Sequence, residues 1–433
     1  MSRAETGAAE SPRYLGPMVS ETVELRGHII DSLILPKVLD EILAHRGNFK
    51  IDEIKIGQNR VDQSYARIEV STDSHETLDD LVLRLRQHGA EVVGHKDAQL
   101  AAAPANGVFP TDFYVTTNQQ TFVRIGGKEI EVAPTMMDSG IAVDRAAGRA
   151  RTVKFYDVQR GMEVVVGHQG IKVAPVQRST SRTDIFEFMA GNVAIERPKS
   201  AVICEIAREL KRAREGGGKI LIVAGSAVVQ SGAGEHLEKL IEWGYVDLLF
   251  AGNAFALHDI ESALFRTSAG VELEKIALTD PSYENQMHAI NAIRAAGGIA
   301  RAVDKKVLQR GVMFSCVQHK VPFILAGSIR DEGPLPEVIT DAIDAQKAMR
   351  EKIGSVRIAL LMSSILHSMA VASLLPATVK TLCVDINPSV ISQLTDPGNF
   401  HAIGLITDIE PFLRELTGCL ESLGASKNSG ART

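Results

Sequence analysis

A chain of 433 residues is long enough for two or three domains with a substantial core. Its 45% hydrophobic and 23% charged residues, with a mean hydropathy of +0.03, are those of an ordinary soluble globular protein. Lys and Arg total 47 against 53 Asp and Glu, a net charge of −6 with no dense basic run, which excludes the electrostatic footprint of a nucleic-acid binder.

The four cysteines, Cys204, Cys316, Cys383 and Cys419, are scattered and include no CxxC pair. Neither a disulfide framework nor a structural zinc site is expected, and a reducing cytosol is the default. The opening MSRAETGAAESPRY lacks the apolar core of a signal peptide. No uninterrupted apolar run reaches the ~18–20 residues that cross a bilayer. The longest candidate, VRIALLMSSILHSMAVASLL, is broken by Ser and His. A cytoplasmic protein with no membrane partner is expected.

Residues 1–17 and the tail 425–433 are small and polar and read as disordered. Between 18 and 100, SETVELRGHII alternates as a strand and LPKVLDEILAHR has helical spacing. KIDEIKIG and YARIEVST follow as strands, HETLDDLVLRLRQHG as a helix and AEVVGH as a strand. The order βαββαβ predicts a ferredoxin-like α+β domain. AAAPANG reads as a linker. From 107 to 182 come short strands with turn signals, among them FYVTTNQQTFVRIGGKEIEVA with Gly126-Gly127 as its hairpin turn, which predict a small β-barrel or sandwich layer. From 183 to 424 apolar runs alternate with helices: KILIVAGS, VDLLFAGN, PFILAGS, RIALLMSS, KTLCVD and AIGLITD. Their lack of period-2 polarity predicts parallel strands covered on both faces, in a doubly wound, Rossmann-like sheet.

The strand KTLCVD ends on Asp385, about 21 residues after the turn Met362-Ser363-Ser364-Ile365-Leu366-His367. In a dinucleotide-binding βαβ unit, an acid at that place takes the ribose hydroxyls and the pyrophosphate sits at the intervening helix N-terminus. A carboxylate there disfavours a 2′-phosphate, which points to NAD rather than NADP. The turn is not GxGxxG, and an Asp that simply caps the next helix is the plainer alternative. Other strand ends also finish on small and polar residues, at Gly252-Asn253-Ala254, Ser328 to Gly333 and Asp408, and should converge on one crevice.

GYVDLLFAGNAFALHDIE, VPFILAGSIRDEGPLPEVITDA, LHSMAVASLLPATVKTLCVDINPSV and GLITDIEPFL resemble the archaeal-type ornithine cyclodeaminases. The same module forms the C-terminal half of the cyanobacterial bifunctional arginine dihydrolase/ornithine cyclodeaminases. FYVTTNQQTFVRIGGKEIEV and IFEFMAGNVAIERP resemble the conserved region of lysine-oxoglutarate reductase/saccharopine dehydrogenase (LOR/SDH). The resemblance implies a tightly held NAD and redox-neutral conversion of L-ornithine to L-proline and ammonia. It implies NAD contacts at Asn253, Ala254, Asp331, Ser363, Ser364, Ile365, Leu366, His367, Asp385 and Asp408.

Given that resemblance, Asp331 is a candidate to receive a proton or hold the substrate amine, against a helix-capping role before Pro334. His288 is a candidate proton carrier or a surface histidine. Cys316 is a buried small hydrophobe or lines the site. Asn118 and Arg124 bring an amide and a carboxylate-binding guanidinium toward the nicotinamide, or Arg124 is a solvated strand residue. His258 and Asp259 are helix neighbours that point about 100° apart, and read as structural. The histidines show no metal-ligand spacing, so no metal is expected. The substrate is a small amino acid and a homo-oligomer is the default. The rivals are a cyclodeaminase or dehydrogenase of lysine or another diamino acid, and a non-catalytic NAD-sensing regulatory module.

Overall fold

The computed structural model describes residues 19–27, 29–30, 33–57, 62, 64–74, 77–78, 81–82, 84–85, 88–92, 97–174, 199–268, 271–272, 283–331, 333–394 and 402–426. The 1–17 tail, IFEFMAGNVAIERP and residues 427–433 lie outside these.

The N-terminal unit is built from β1 (Val19–Gly27), α1 (Ile34–Ala44), β2 (Asn48–Lys55), β3 (Ser64–Thr72) and β4 (Glu91–Val92). Its antiparallel sheet has the order β2-β3-β1-β4, that of a ferredoxin-like fold. Alternation puts Val23, Leu25, Ala66, Ile68 and Val70 on one sheet face, where they meet Val38 and Ile42 of α1. Leu78, Leu81 and Leu85, at helical spacing, close the same core.

Two antiparallel sheets form the middle layer: β5 (Gln99–Ala102), β10 (Glu163–Val166), β8 (Gly140–Asp144) and β9 (Arg149–Val153) in one, β11 (Ile171–Ala174), β6 (Gln120–Ile125) and β7 (Lys128–Glu131) in the other. Val123 and Ile171 from the second sheet share a core with Ile141 and Val165 from the first, so the layer is a sandwich. The β6–β7 hairpin turns at Gly126 (φ 57°) and Gly127 (φ 76°), as the sequence suggests. The stretch AAAPANG is not a free linker, because β5 overlaps its start and pairs with β10.

The C-terminal unit carries a seven-stranded parallel sheet in the order β17-β16-β13-β12-β18-β19-β20. Its strands are β12 (Lys219–Ala224), β13 (Leu248–Gly252), β16 (Phe323–Ala326), β17 (Val338–Ile339), β18 (Val356–Met362), β19 (Lys380–Asp385) and β20 (Ala402–Ile406). A short ribbon, β14 (Thr267–Ser268) with β15 (Val271–Glu272), stands apart. Both faces are buried, which is why the strands read as unbroken apolar runs. Ile220, Ile222 and Ala224 face one core and Leu221 and Val223 the other.

The helices are α2 (Lys199–Glu215), α3 (Ala227–Gln230), α4 (Gly234–Glu242), α5 (Asn253–Phe265), α6 (Tyr283–Ala296), α7 (Ile299–Asp304), α8 (Val312–Gln318), α9 (Ala342–Lys352), α10 (Ile365–Ala372), α11 (Pro388–Leu394) and α12 (Ile409–Ser422). Helices α9, α10 and α11 cover one face; the others, with α2 and α12 side by side, cover the opposite one. Among the described residues, no helix is long and apolar enough to cross a membrane.

Two findings depart from the sequence reading. Cys204 of α2 and Cys419 of α12 are joined by a disulfide, with Cα atoms 5.2 Å apart. The first and last helices of the unit pack together, so residues 215 apart in sequence become neighbours. The middle layer, moreover, docks on α9 and on the segment after α10: Tyr156 Oη bonds Gln346 Oε1 (2.8 Å), Arg350 pairs with Asp157 (2.7 Å) and Ala377 N–H donates to the Asn118 carbonyl (2.7 Å). Ala377 precedes β19, so this contact lies at the N-terminal end of the sheet, about 20 Å, one strand length, from the carboxyl ends.

Candidate active site

The chain enters the parallel sheet at its middle, on β12, runs outward through β13, β16 and β17, and then returns to β18 on the other side of β12. The strand order reverses between β12 and β18, and in such sheets ligands bind outside the carboxyl ends at that point. There the two strand ends touch. Gly225 N–H donates to Met362 O (2.8 Å), and Ser363 N–H donates to Val384 O (3.0 Å). A Cβ on Gly225 would stand 1.8 Å from the Ser363 carbonyl oxygen, so no other residue fits without moving backbone. Ser363 has φ 50°, a left-handed conformation uncommon outside glycine, and the strain marks a turn held by its surroundings.

Helix α10 starts directly above this turn. Its first N–H groups have no intrahelical partner, and the helix dipole adds partial positive charge. Ser363, Ser364 and His367 are half-buried around it, while Ile365 and Leu366 are exposed, Leu366 by 68%. Ser364 Oγ and His367 Nδ1 share a hydrogen bond of 2.9 Å. The imidazole lies against the end of β13: a Cβ on Gly252 would meet its Cε1 at 2.7 Å. Burial lowers the His367 pKa, and the neighbouring Asp331 carboxylate opposes that shift.

Asp331 follows β16 and holds its own turn, Oδ2 accepting from Ser328 N–H at 2.7 Å. It caps none of the helices among the described residues. Asn253 opens α5 at 3% exposure, its Oδ1 accepting from Leu335 N–H (3.1 Å), while Ala254 beside it is exposed. On the other side of the switch point, half-exposed Asp385 ends β19 and accepts from Asn387 N–H at 2.8 Å. Asp408 caps α12 at the end of β20, so the plain capping role applies there. Ile386 (69% exposed), Ile406 (44%) and Met369 (45%) add an apolar rim that the sequence reading missed. For Ile386 and Ile406 the signal was an apolar residue immediately after, or at the end of, a strand whose carboxyl end carries an acid, whereas Met369 lies on α10 and carried no such signal.

Four candidates are not brought to these strand ends. His288 is exposed on α6, its ring 6.5 Å from that of Phe265. Phe265 closes α5 about 18 Å along the helix from Asn253. Cys316 on α8 has no exposed surface and burial pushes its thiol up, as for a small hydrophobe. Asn118 lies beside Ala377, and Arg124 faces Asp97 at 3.6 Å, both in the middle layer. The expectation that this layer faces the strand ends is therefore not met within one chain, because its contacts are with α9 and the segment before β19.

His258 and Asp259 diverge as their spacing requires. His258 meets Glu261 (3.3 Å), whereas Asp259 accepts from Val312 and Met313 N–H, both at 2.8 Å, capping α8. Complete burial raises the Asp259 pKa to about 7, against the pull of those two N–H donors. A carboxyl with a folded pKa above its unfolded value of 3.8 destabilises progressively as pH rises between the two. Stability from urea midpoints should fall by about 3 kcal/mol from pH 5 to 8 relative to an Asp259→Asn variant, at about 1.36 kcal/mol per pKa unit over the roughly two units between pH 5 and the folded pKa.

A serine turn at a helix N-terminus, at the switch point of a parallel sheet and with an acid at the next strand end, is the arrangement of a Rossmann-type domain. An ornithine cyclodeaminase of Methanopyrus kandleri is 46% identical over 396 residues, covering 92% of this chain and 96% of that protein. The chain belongs to the ornithine cyclodeaminase family related to the C-terminal part of ArgZ. Residues 204–416 match the C-terminal Rossmann-fold region of arginine dihydrolase ArgZ-like proteins and 120–203 the first region of that C-terminal part. Residues 20–119 match the LOR/SDH bifunctional enzyme conserved region, so IFEFMAGNVAIERP belongs to the ArgZ-like part instead.

The apo structure of ArgZ, an arginine dihydrolase from the ornithine–ammonia cycle in cyanobacteria, matches with a TM-score of 0.81 at 34% identity, over 94% of this chain and 59% of that one. AgrE, solved as a ternary complex with ornithine and NAD+, matches with a TM-score of 0.51 at 36% identity, over 94% and 58%. This chain thus spans well under two thirds of those longer proteins, but nearly the whole of the archaeal cyclodeaminase.

Proposed function

We propose that this protein converts L-ornithine to L-proline and ammonia with NAD as a recycled cofactor. The observation that carries the reading is the serine turn at the β12/β18 switch point with Asp385 one strand away, in a chain whose relative AgrE binds ornithine and NAD+. The residues present fit the cofactor. Gly225 leaves the strand ends close enough for the turn to form, and the α10 N–H groups and the Ser363 and Ser364 hydroxyls suit a diphosphate. Asp385 suits the ribose hydroxyls, and Ile365, Leu366, Ile386 and Ile406 suit the apolar faces of the base and exclude water. When bound, NAD takes a hydride from the substrate α-carbon and returns it to the cyclic imine, so none is consumed. Asn253, Ala254 and Asp331, across the switch point, line the nicotinamide side, where Asp331 holds the substrate amine.

We also infer a cytoplasmic homo-oligomer acting on a small amino acid. What supports it is the intracellular cofactor and the habit of soluble enzymes to form closed symmetric assemblies; light scattering of the purified protein tests the assembly.

The deciding experiment supplies L-ornithine with catalytic NAD. Equal proline and ammonia without net NADH is the expected result. Net NADH would make the protein a dehydrogenase, and bound NAD without turnover a sensor. Asp385→Ala should weaken NAD binding about 10- to 100-fold, since hydrogen bonds to a charged group contribute about 1.5–3 kcal/mol. Calorimetry with NAD+ measures this directly.

A further inference from the structure

The cofactor turn contains a side chain whose reach exceeds that of a cofactor contact. His367 belongs to α10, which follows β18, yet its ring crosses the end of β12 and rests on Gly252 at the end of β13, with the Asp331 carboxylate after β16 as its charged neighbour. With the diphosphate at the start of α10 and the adenosine toward Asp385, the nicotinamide and substrate occupy the opposite side of the switch point, over β12, β13 and β16. The imidazole is therefore on the reacting side. Ser364 Oγ fixes it through Nδ1 (2.9 Å), which leaves the Nε2 edge as the proton-carrying edge. The other histidines of this unit near α5 serve elsewhere: His258 meets Gln230 and Glu261, and His288 lies by Phe265.

We propose that His367 is a catalytic residue: the proton carrier of the ring-closing, ammonia-releasing step, oriented by Ser364. The assignment rests on the cyclodeaminase reading. Once the δ-amine has bonded to the α-carbon, the ring nitrogen holds one proton too many and the α-nitrogen one too few to leave. His367 takes the proton from the ring nitrogen and delivers it to the α-nitrogen. The exocyclic C–N bond then breaks with its electron pair going to ammonia, and the ring nitrogen's freed pair forms the C=N bond. The imidazole ends as it began, and nothing is oxidised or reduced in this step. A proton carrier placed in this way contributes about 10²–10⁴-fold in rate.

The test compares wild type with His367→Asn. The variant should bind NAD+ within about threefold of wild type by calorimetry, yet form proline about 10²–10⁴-fold more slowly. Because hydride transfer to NAD precedes the blocked step, the variant should accumulate about one equivalent of bound NADH in its absorbance band before any proline appears, and added imidazole should shorten that delay. Gly252→Ala keeps the ring but displaces it, its Cβ standing 2.7 Å from Cε1, and should give the same NADH build-up should removal of the ring unfold the turn. Proline formation at the wild-type rate, a loss fully recovered at saturating NAD+, or a loss without NADH build-up would each overturn the assignment. A wild-type protein that makes no proline overturns the cyclodeaminase reading itself, a failure distinguishable from that of His367.

Discussion

Replacing Gly225 by alanine is expected to cost this protein at least about 3 kcal/mol of stability and more than 100-fold in NAD affinity, the upper end of what overpacking does. The added methyl would lie 1.8 Å from the Ser363 carbonyl oxygen, 2.6 Å from its carbon and 3.1 Å from Ser364 Cβ. The first two are backbone atoms, so no rotamer change relieves the contact; β12 and β18 must part at the switch point. That separation breaks the Gly225 N–H to Met362 O bond and moves the start of α10, the proposed diphosphate site. Gly418→Ala is the control. It sits in α12 with open space around the position of its Cβ, and should stabilise by about 0.5–1 kcal/mol without touching cofactor binding. Urea midpoints and NAD+ calorimetry on both variants separate a specific collapse of the turn from a general intolerance of alanine.

The contrast between those glycines shows what was legible in the sequence. Strand identity was, because a strand covered on both faces must be apolar throughout: KILIVA and VRIALLM declare themselves. The place of Asp385 followed too, since an unpaired acid ending such a run has to surface. The ferredoxin-like order was readable from periods of 2 and 3.6 alternating along the chain. What failed was everything set by how elements dock. Nothing in the spacing of Asn118 or Arg124 reports that the middle layer packs on α9 and the segment after α10, away from the carboxyl ends. Nor does the turn Met362 to His367 announce that its histidine spans two neighbouring strands. That follows only once β12 is known to lie between β13 and β18.

The cysteines are the sharpest case, and they carry the second large effect. Treating the oxidised protein with a reductant should lower its stability by about 2–5 kcal/mol, because the Cys204–Cys419 bridge closes a loop of 215 residues and removes that closure entropy from the unfolded chain. Cys316 and Cys383 have no exposed surface, and burial pushes the Cys383 thiol up to about 12, so neither offers a thiolate in the native state. Thiol titration of the native protein should accordingly find almost no reactive group before reduction and two after it, while Cys204→Ser should have a urea midpoint indifferent to reductant. Two reactive thiols before reduction, with no change of midpoint, would mean that α2 and α12 are held together by packing alone. Their contact would still be real, since Ile203, Ile206 and Leu210 of α2 share the core with Phe412, Leu416 and Leu420 of α12. The measurement thus weighs a covalent staple against the hydrophobic seam that brings its two ends together.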